Sequence, residues 1–176
     1  VTGCNGLLGS FHCEALKNAE ATVIGIDIDK ECHKKNSSVT RYFSGDVTDK
    51  ESLKSINKKI LKEFSKIDIL VNNAAINDMV ENNENDIDLS KFENFPLDLW
   101  QKGIDVNITG VFLCCQIFGK SMSDLGGGSI INIGSTYGLV GPDQSIYQDK
   151  DGKQIFYKGP IYPASKGAVV NFTRYL

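Results

Sequence analysis

The chain has 176 residues, 41% of them hydrophobic and 23% charged, and 19 Lys and Arg against 22 Asp and Glu leave a net charge of −3. These proportions exclude a disordered or collagen-like chain and suit one domain with a real core. There is no basic stripe to hold nucleic acid or an anionic membrane, and no apolar run approaches the length that crosses a bilayer.

Residues 1–9 are rich in glycine, and residues 10–19 then place apolar side chains at helical spacing. Residues 22–27 form a short apolar run that ends in Asp27 and reads as a buried strand. Residues 39–43 are a second strand, closing on Gly45-Asp46-Val47. Residues 49–64 open on a helix start signal and carry Leu53, Ile56, Ile60, Leu61 and Phe64 on one face, an amphipathic helix. Residues 67–71 are a third strand, followed by Asn72-Asn73-Ala74-Ala75. Residues 78–95 hold six acids and one lysine among several Asn, and read as a solvated loop. A long helix is expected over 97–122, ended by Gly126-Gly127-Gly128, then a strand over 129–134. Residues 142–160 are polar, with a turn at Lys150-Asp151-Gly152-Lys153, and a last helix begins near Ile161. Strands alternating with amphipathic helices predict an α/β fold, a parallel sheet covered on both faces, with no repeat and no linker across residues 1–176.

The five cysteines, Cys4, Cys13, Cys32, Cys114 and Cys115, are odd in number and include no C-x-x-C pair. Neither a secreted disulfide framework nor a zinc site fits them, so no metal is expected. Cys32-His33 reads as a polar turn, and Cys114 and Cys115 as packing residues. Buried, reduced thiols point to the cytoplasm.

Thr2-Gly3-Cys4-Asn5-Gly6-Leu7-Leu8-Gly9 opens the first helix. Gly3 permits a tight turn, Gly6 lets backbone approach a pyrophosphate, and Gly9 lets the helix pack on the sheet. The helix start then offers free N–H groups and a positive dipole end to phosphates. Asp27 follows about 20 residues later, after a strand, where a carboxylate can accept from both adenosine ribose hydroxyls. It would repel a 2′-phosphate, which favours NAD over NADP, although Asp29 is close by and Lys30, Lys34 and Lys35 could meet such a phosphate.

Tyr162-Pro163-Ala164-Ser165-Lys166 sets Tyr and Lys four apart, on one helical face. An ammonium beside a phenol stabilises the phenolate, so such a tyrosine can move a proton to or from a substrate oxygen while hydride moves at carbon. Pro163 suits the first turn of a helix. Tyr137 and Tyr147 lack a lysine four residues on.

In chain order these motifs resemble the short-chain dehydrogenase/reductase family over essentially the whole chain. The resemblance implies a Rossmann-like doubly wound parallel sheet in a single domain over 1–176, truncated at both ends. It implies cofactor contacts from Gly3, Asn5, Gly6, Leu7, Leu8 and Gly9 of the phosphate loop, from Asp27, from Asp46 and Val47 beside the adenine, and from Asn73, Ala74 and Ala75. Asp105-Val106-Asn107 resembles the helix that carries the catalytic Asn, and Ile133-Gly134-Ser135 the strand end that carries the catalytic Ser. On that basis Tyr162 is the general acid/base, and Lys166 lowers its pKa and holds the nicotinamide ribose. Ser135 positions the substrate oxygen, and Asn107 holds a water that links Lys166 to solvent.

The sequence departs from the family in four places. The loop spacing T-G-x-x-G-x-x-G is more usual in the extended branch, and Ala75 replaces a Gly. Ser135 and Tyr162 are about twice as far apart as usual, the extra residues being about 143–159, and residues 78–95 form a second insertion. Both insertions follow strand ends where ligands bind in open α/β sheets, which suggests they shape a substrate pocket. The combination is similar to bacterial members tied to surface-sugar and flagellin modification. The expected activity is hydride transfer between NAD(H) and a hydroxyl or keto group of a small, sugar-derived molecule. Alternatives are an NADPH-dependent 3-oxoacyl or small-ketone reductase, and a non-catalytic NAD sensor. The resemblance also implies a homo-oligomer, a dimer or tetramer, assembled through the helices at about 97–122 and from 161 onward.

Overall fold

The computed structural model describes residues 1–34, 36–77 and 87–176. They form two compact units, Val1–Ala75 with Thr109–Ile133, and Ile76–Ile108 with Gly134–Leu176.

The first unit holds the sheet. β1 (Ile24–Asp27) pairs in parallel with β2 (Arg41–Ser44), and β3 (Ile69–Asn72) in parallel with β4 (Ser129–Asn132). Val1 and Thr2 lie between the two pairs: Ile26 N–H donates to Val1 O at 2.9 Å, and Thr2 N–H donates to Val71 O at 3.0 Å. The spatial order is therefore β2, β1, Val1–Thr2, β3, β4, with β2 and Thr2 parallel to β1 and β4 parallel to β3. Parallel strands buried on both faces need apolar runs, and Val23, Ile26, Leu70 and Val71 are each at most 4% exposed.

Helices α1 (Leu7–Asn18) and α2 (Lys50–Phe64) belong to this unit. Asp49 caps α2 by accepting from Glu51 N and Ser52 N, a contribution of about 1 kcal/mol. Leu53, Ile56 and Ile60 then face inward, and burying each stabilises by about 1.5–3 kcal/mol.

The helix expected over 97–122 is a helical run from Leu97 to Asp124 with two wide turns. Helix α4 (Leu97–Ile104) leads into a π-helical segment, Asp105–Thr109. Helix α5 (Gly110–Cys114) leads into a second, Cys115–Gly119, before α6 (Lys120–Asp124). Gly126 and Gly127 end the run with φ of 105° and 110°, conformations that glycine adopts freely.

The second unit contains α3 (Ile87–Ser90), α4 and α7 (Ile161–Tyr175), joined by short 3₁₀ turns. Gly103 of α4 packs on Ile161 of α7, where an added Cβ would lie 2.2 Å from Ile161 Cγ1. One expectation is corrected here. The described part of the acidic segment is not merely solvated loop: it forms α3 and a 3₁₀ turn at Phe92–Asn94, and Ser90 is 1% exposed. The polar stretch before Ile161 is folded as well. Its turn is anchored by Asp149, which accepts from Asp151 N and Lys153 N, and Gln148 pairs with Gln154 in an antiparallel bridge. Lys35 and residues 78–86 lie outside the described residues.

Candidate active site

In the first unit, the C-terminal edge of the sheet collects the glycine loop, Asp27, Asp46 and Asn73. Gly3 has φ of 63°, and a Cβ there would lie 2.8 Å from Ala74 Cα. Gly9 is equally constrained, since its Cβ would sit 2.0 Å from Gly3 O. The close approach that this glycine permits is therefore of α1 to the loop itself, not to the sheet. Gly6 is the N-cap of α1 and supplies no side-chain cap, and no acid occupies the first turn. The leading N–H groups of α1 thus point out of a helix start that no side chain of its own covers, a fit for a phosphate. Leu7 and Leu8 flank it, 75% and 54% exposed.

Polar side chains hold the loop in shape. Asn73 Nδ2 donates to Thr2 O and Gly3 O, each at 3.0 Å, while Thr2 Oγ1 accepts from Asn73 N and Ala74 N, each at 3.1 Å. Asn5 N–H donates to Asp27 Oδ2 at 2.8 Å. Asn5 Nδ2 donates to Asp29 Oδ2 at 3.1 Å, and Asn5 Oδ1 accepts from His33 N at 3.0 Å. This separates the two acids that the sequence left side by side. Asp29 is engaged by Asn5 and by His33 Nε2 at 3.0 Å, whereas Asp27 stands at the loop with its carboxylate on the loop's own backbone. Asp46 follows β2 beside Asp27, where Gly45 N–H donates to Asp27 O, and its carboxylate accepts from Thr48 N and Oγ1 at 2.8 Å. Val47 is buried next to it. Ala75 ends this stretch of the unit.

In the second unit, α7 carries Tyr162 and Lys166 on one face, with Lys166 Nζ 5.8 Å from the centre of the Tyr162 ring. Lys166 is 5% exposed, and burial holds its ammonium pKa below the ordinary lysine value. Ser135 precedes the 3₁₀ turn Thr136–Gly138 and accepts from Tyr137 N at 3.2 Å, which leaves its hydroxyl proton available to donate. This turn packs on α7 so closely that a Cβ on Gly138 would lie 2.7 Å from Lys166 O.

Asn107 lies in the π segment and is 1% exposed. Its Oδ1 accepts from Ile76 N at 2.8 Å, and its Nδ2 donates to Ile76 O at 3.0 Å and to Ser165 Oγ at 3.1 Å. Both amide donors are therefore used, so the side chain acts as a clamp between residue 76 and α7. Ser165 completes the clamp by donating to Tyr162 O at 2.9 Å. Sequence reasoning assigned no role to Ser165, whose only signal was its place between Tyr162 and Lys166.

Lys158 was missed altogether. It is 7% exposed, its Nζ lies 4.9 Å from the centre of the Tyr162 ring, and it donates to Asn77 Oδ1. Two other tyrosines of this unit are arranged differently. Tyr137 and Tyr147 share a hydroxyl hydrogen bond of 2.9 Å, and burial together with that bond pushes the Tyr147 hydroxyl up to about 12, away from the range of a neutral-pH base.

Each unit also holds a cavity. One of about 430 Å³ in the first unit is lined by Val23, Ile24, Phe64 and Ile69, at the sheet edge opposite the glycine loop. One of about 470 Å³ in the second unit is lined by Ser90, Phe92, Gln144, Lys158 and Pro163.

The family model described as short chain dehydrogenase matches residues 1–148. The chain is 30% identical to an NAD-dependent glycerol dehydrogenase of Listeria innocua and 28% identical to a D-threitol dehydrogenase of Mycolicibacterium smegmatis, in each case over all of this chain. It spans 61% of the length of each of these relatives. A short-chain dehydrogenase from Leptospira borgpetersenii, solved with bound NAD+, superposes with a TM-score of 0.80 at 26% identity, over 99% of this chain and 61% of that one. A glycine loop on a parallel sheet, a tyrosine and lysine one turn apart, and a family match spanning most of the chain have one common reading: the chain belongs to the short-chain dehydrogenase family.

Proposed function

We propose that the protein is an NAD-linked oxidoreductase that interconverts a hydroxyl and a keto group on a small polyol or sugar-derived molecule. The observation that carries this reading is Tyr162 on α7 with Lys166 one turn away, its ammonium 5.8 Å from the ring. The polyol substrates named for the two relatives support the substrate class.

The residues of the first unit fit a dinucleotide. Gly3 and Gly6 would leave space for a pyrophosphate, and the leading N–H groups of α1 at Leu7 and Leu8 would meet it. Asp27 has two lone-pair positions beyond the N–H groups of Asn5 and Asp29 that it already accepts, enough for two ribose hydroxyls. Asp46 and Val47 would border the adenine, and Asn73, Ala74 and Ala75 the middle of the cofactor. The relative named as NAD-dependent and the NAD+-bound structure support NAD rather than NADP. Bound NAD+ supplies a hydride acceptor at carbon.

In the oxidation direction, Tyr162 as phenolate takes the proton from the substrate hydroxyl, and the substrate carbon gives up a hydride. Reduction reverses both transfers. Lys166 favours the phenolate by its charge and holds the ribose next to the nicotinamide. Ser135 donates its free hydroxyl proton to the substrate oxygen. Asn107 sets the height of α7 through Ser165, and any proton route through its side chain would use Oδ1 as acceptor. We read the two compact units as parts of one dinucleotide-binding domain, acting in a cytoplasmic homo-oligomer. Among the described residues no helix is long and apolar enough to cross a membrane.

Tyr162→Phe keeps the ring and removes the proton-transfer oxygen. NAD+-linked oxidation of glycerol, D-threitol and similar polyols by the intact protein is expected to fall by about 10²- to 10⁴-fold. Unimpaired turnover would reject the assignment.

A further inference from the structure

Lys158 stands in the segment between Ser135 and Tyr162 that is longer than the family usual, and it is not solvated. A lysine ordinarily runs its stem along apolar surface and leaves its ammonium in water. Here the residue is 7% exposed, and its ammonium lies over the face of Tyr162, closer to the ring centre at 4.9 Å than that of Lys166 at 5.8 Å. Ordering and desolvating a lysine costs both rotamer freedom and hydration, so the position must be built.

The surrounding contacts build it. Gln144 grips the Lys158 backbone at both groups: its Oε1 accepts from Lys158 N at 2.9 Å, and its Nε2 donates to Lys158 O at 3.1 Å. Gln154 Nε2 donates to Gln144 O and to Phe156 O, each at 2.8 Å. Tyr157 N donates to Ser90 Oγ at 3.0 Å, which ties the same segment to the end of α3. Asn77 Oδ1 receives the ammonium. The segment is a folded bracket that ends on one charge beside the proton-transfer residue.

We propose that Lys158 is a second cation of the Tyr162 centre, a positioning residue that fixes the ring and favours its phenolate. This rests on the reading of Tyr162 as the acid/base. Two ammoniums within 6 Å of one ring centre repel each other while Tyr162 is a neutral phenol, and both are attracted once it is a phenolate. Among the described residues, the neighbouring elements carry further ionisable groups. Tyr137, in the turn packed on α7, is bonded to Tyr147. On α4, Asp98 and Lys102 are exposed, and Asp105 accepts from Gln101 at 2.8 Å. On α3 and the turn after it, Asp88 pairs with Lys91 at 2.5 Å, and Glu93 is exposed. Tyr157 adjoins Lys158 in sequence, and Asp143, Asp149, Lys150, Asp151 and Lys153 lie on the exposed parts of the bracket.

The test is a spectroscopic pH titration of tyrosinate in the intact protein, with no substrate present. Subtracting the Tyr162→Phe spectrum isolates Tyr162, and the same subtraction is made in the Lys158→Met background. The midpoint in Lys158→Met is expected about one pH unit higher, a roughly tenfold weaker acid, and Lys158→Arg is expected to bring it back. An unmoved midpoint in Lys158→Met, or an equal rise in Lys158→Arg, would overturn the proposal. Should Lys158→Met fail to fold, Gln144→Leu, which releases the backbone grip, is titrated instead. The same rise is expected there, and its absence overturns the proposal equally. Turnover separates the two readings. Loss of activity in Tyr162→Phe with an unmoved midpoint in Lys158→Met rejects the second cation alone, whereas full activity in Tyr162→Phe rejects the acid/base role beneath it.

Discussion

Lys166 shows what a buried ammonium costs the fold that holds it. Burial lowers its ammonium pKa from the ordinary value. Between that lowered pKa and the unfolded value, the unfolded chain binds more protons than the native one, so stability rises with pH across this window. Below the window the cost of burying the charge is present in full. Lys166→Met keeps the length of the side chain and removes the charge. At pH 7 its thermal midpoint is expected to lie a few degrees above that of the parent, with activity lost, the usual conflict between a working site and stability. The gap should close as pH rises toward the ordinary lysine pKa. A lower midpoint in Lys166→Met at pH 7 would contradict the burial argument. The same low-dielectric setting lets the ammonium act strongly on Tyr162.

At the scale of elements, α1 and its loop are one rigid piece. A Cβ at Gly9 would overlap a backbone oxygen, Gly3 O at 2.0 Å, and backbone cannot rotate away as a side chain can. Gly9→Ala is therefore expected to destabilise the protein by about 1–3 kcal/mol and to weaken NAD+ binding, read by denaturant unfolding and by a dinucleotide titration. Unchanged values of both would show that the loop tolerates the shift. The glycine loop was legible because its geometry permits no other residue, and strand ends such as Asp27 because apolar runs stop there. The π segments were not legible. Widening one helical turn leaves composition and spacing nearly unchanged, so 97–122 read as a single helix and Asn107 gave no sign of its clamp on Ile76 and Ser165. Lys158 was hidden for a different reason. Its backbone is gripped by Gln144 and its ammonium meets Asn77, contacts between residues distant in sequence that no local pattern announces.

At the scale of the whole molecule, all five cysteines fall in the first unit, and they can report when it opens. Cys4, Cys13, Cys114 and Cys115 are between 0% and 5% exposed. Burial pushes the thiols of Cys4 and Cys114 up to about 12, and raises those of Cys13 and Cys115 as well. The reactive species is the thiolate, so these four are protected twice, by lack of access and by protonation. Cys32 is only partly covered, and burial and the nearby Asp27 raise its thiol too. A disulfide reagent added to the native protein is expected to label at most one thiol, slowly, while the unfolded chain yields all five. The four buried thiols should then share one rate constant that rises with denaturant, because all wait for the same opening. Since the glycine loop is in this unit, NAD+ at a hundred times its Kd is expected to slow that common step by about 100-fold, as the dinucleotide binds only the closed form. Prompt labelling of two or more thiols would show that the unit opens piecemeal. Labelling indifferent to NAD+ would show that the dinucleotide does not bind where the glycine loop, Asp27 and Asn73 suggest.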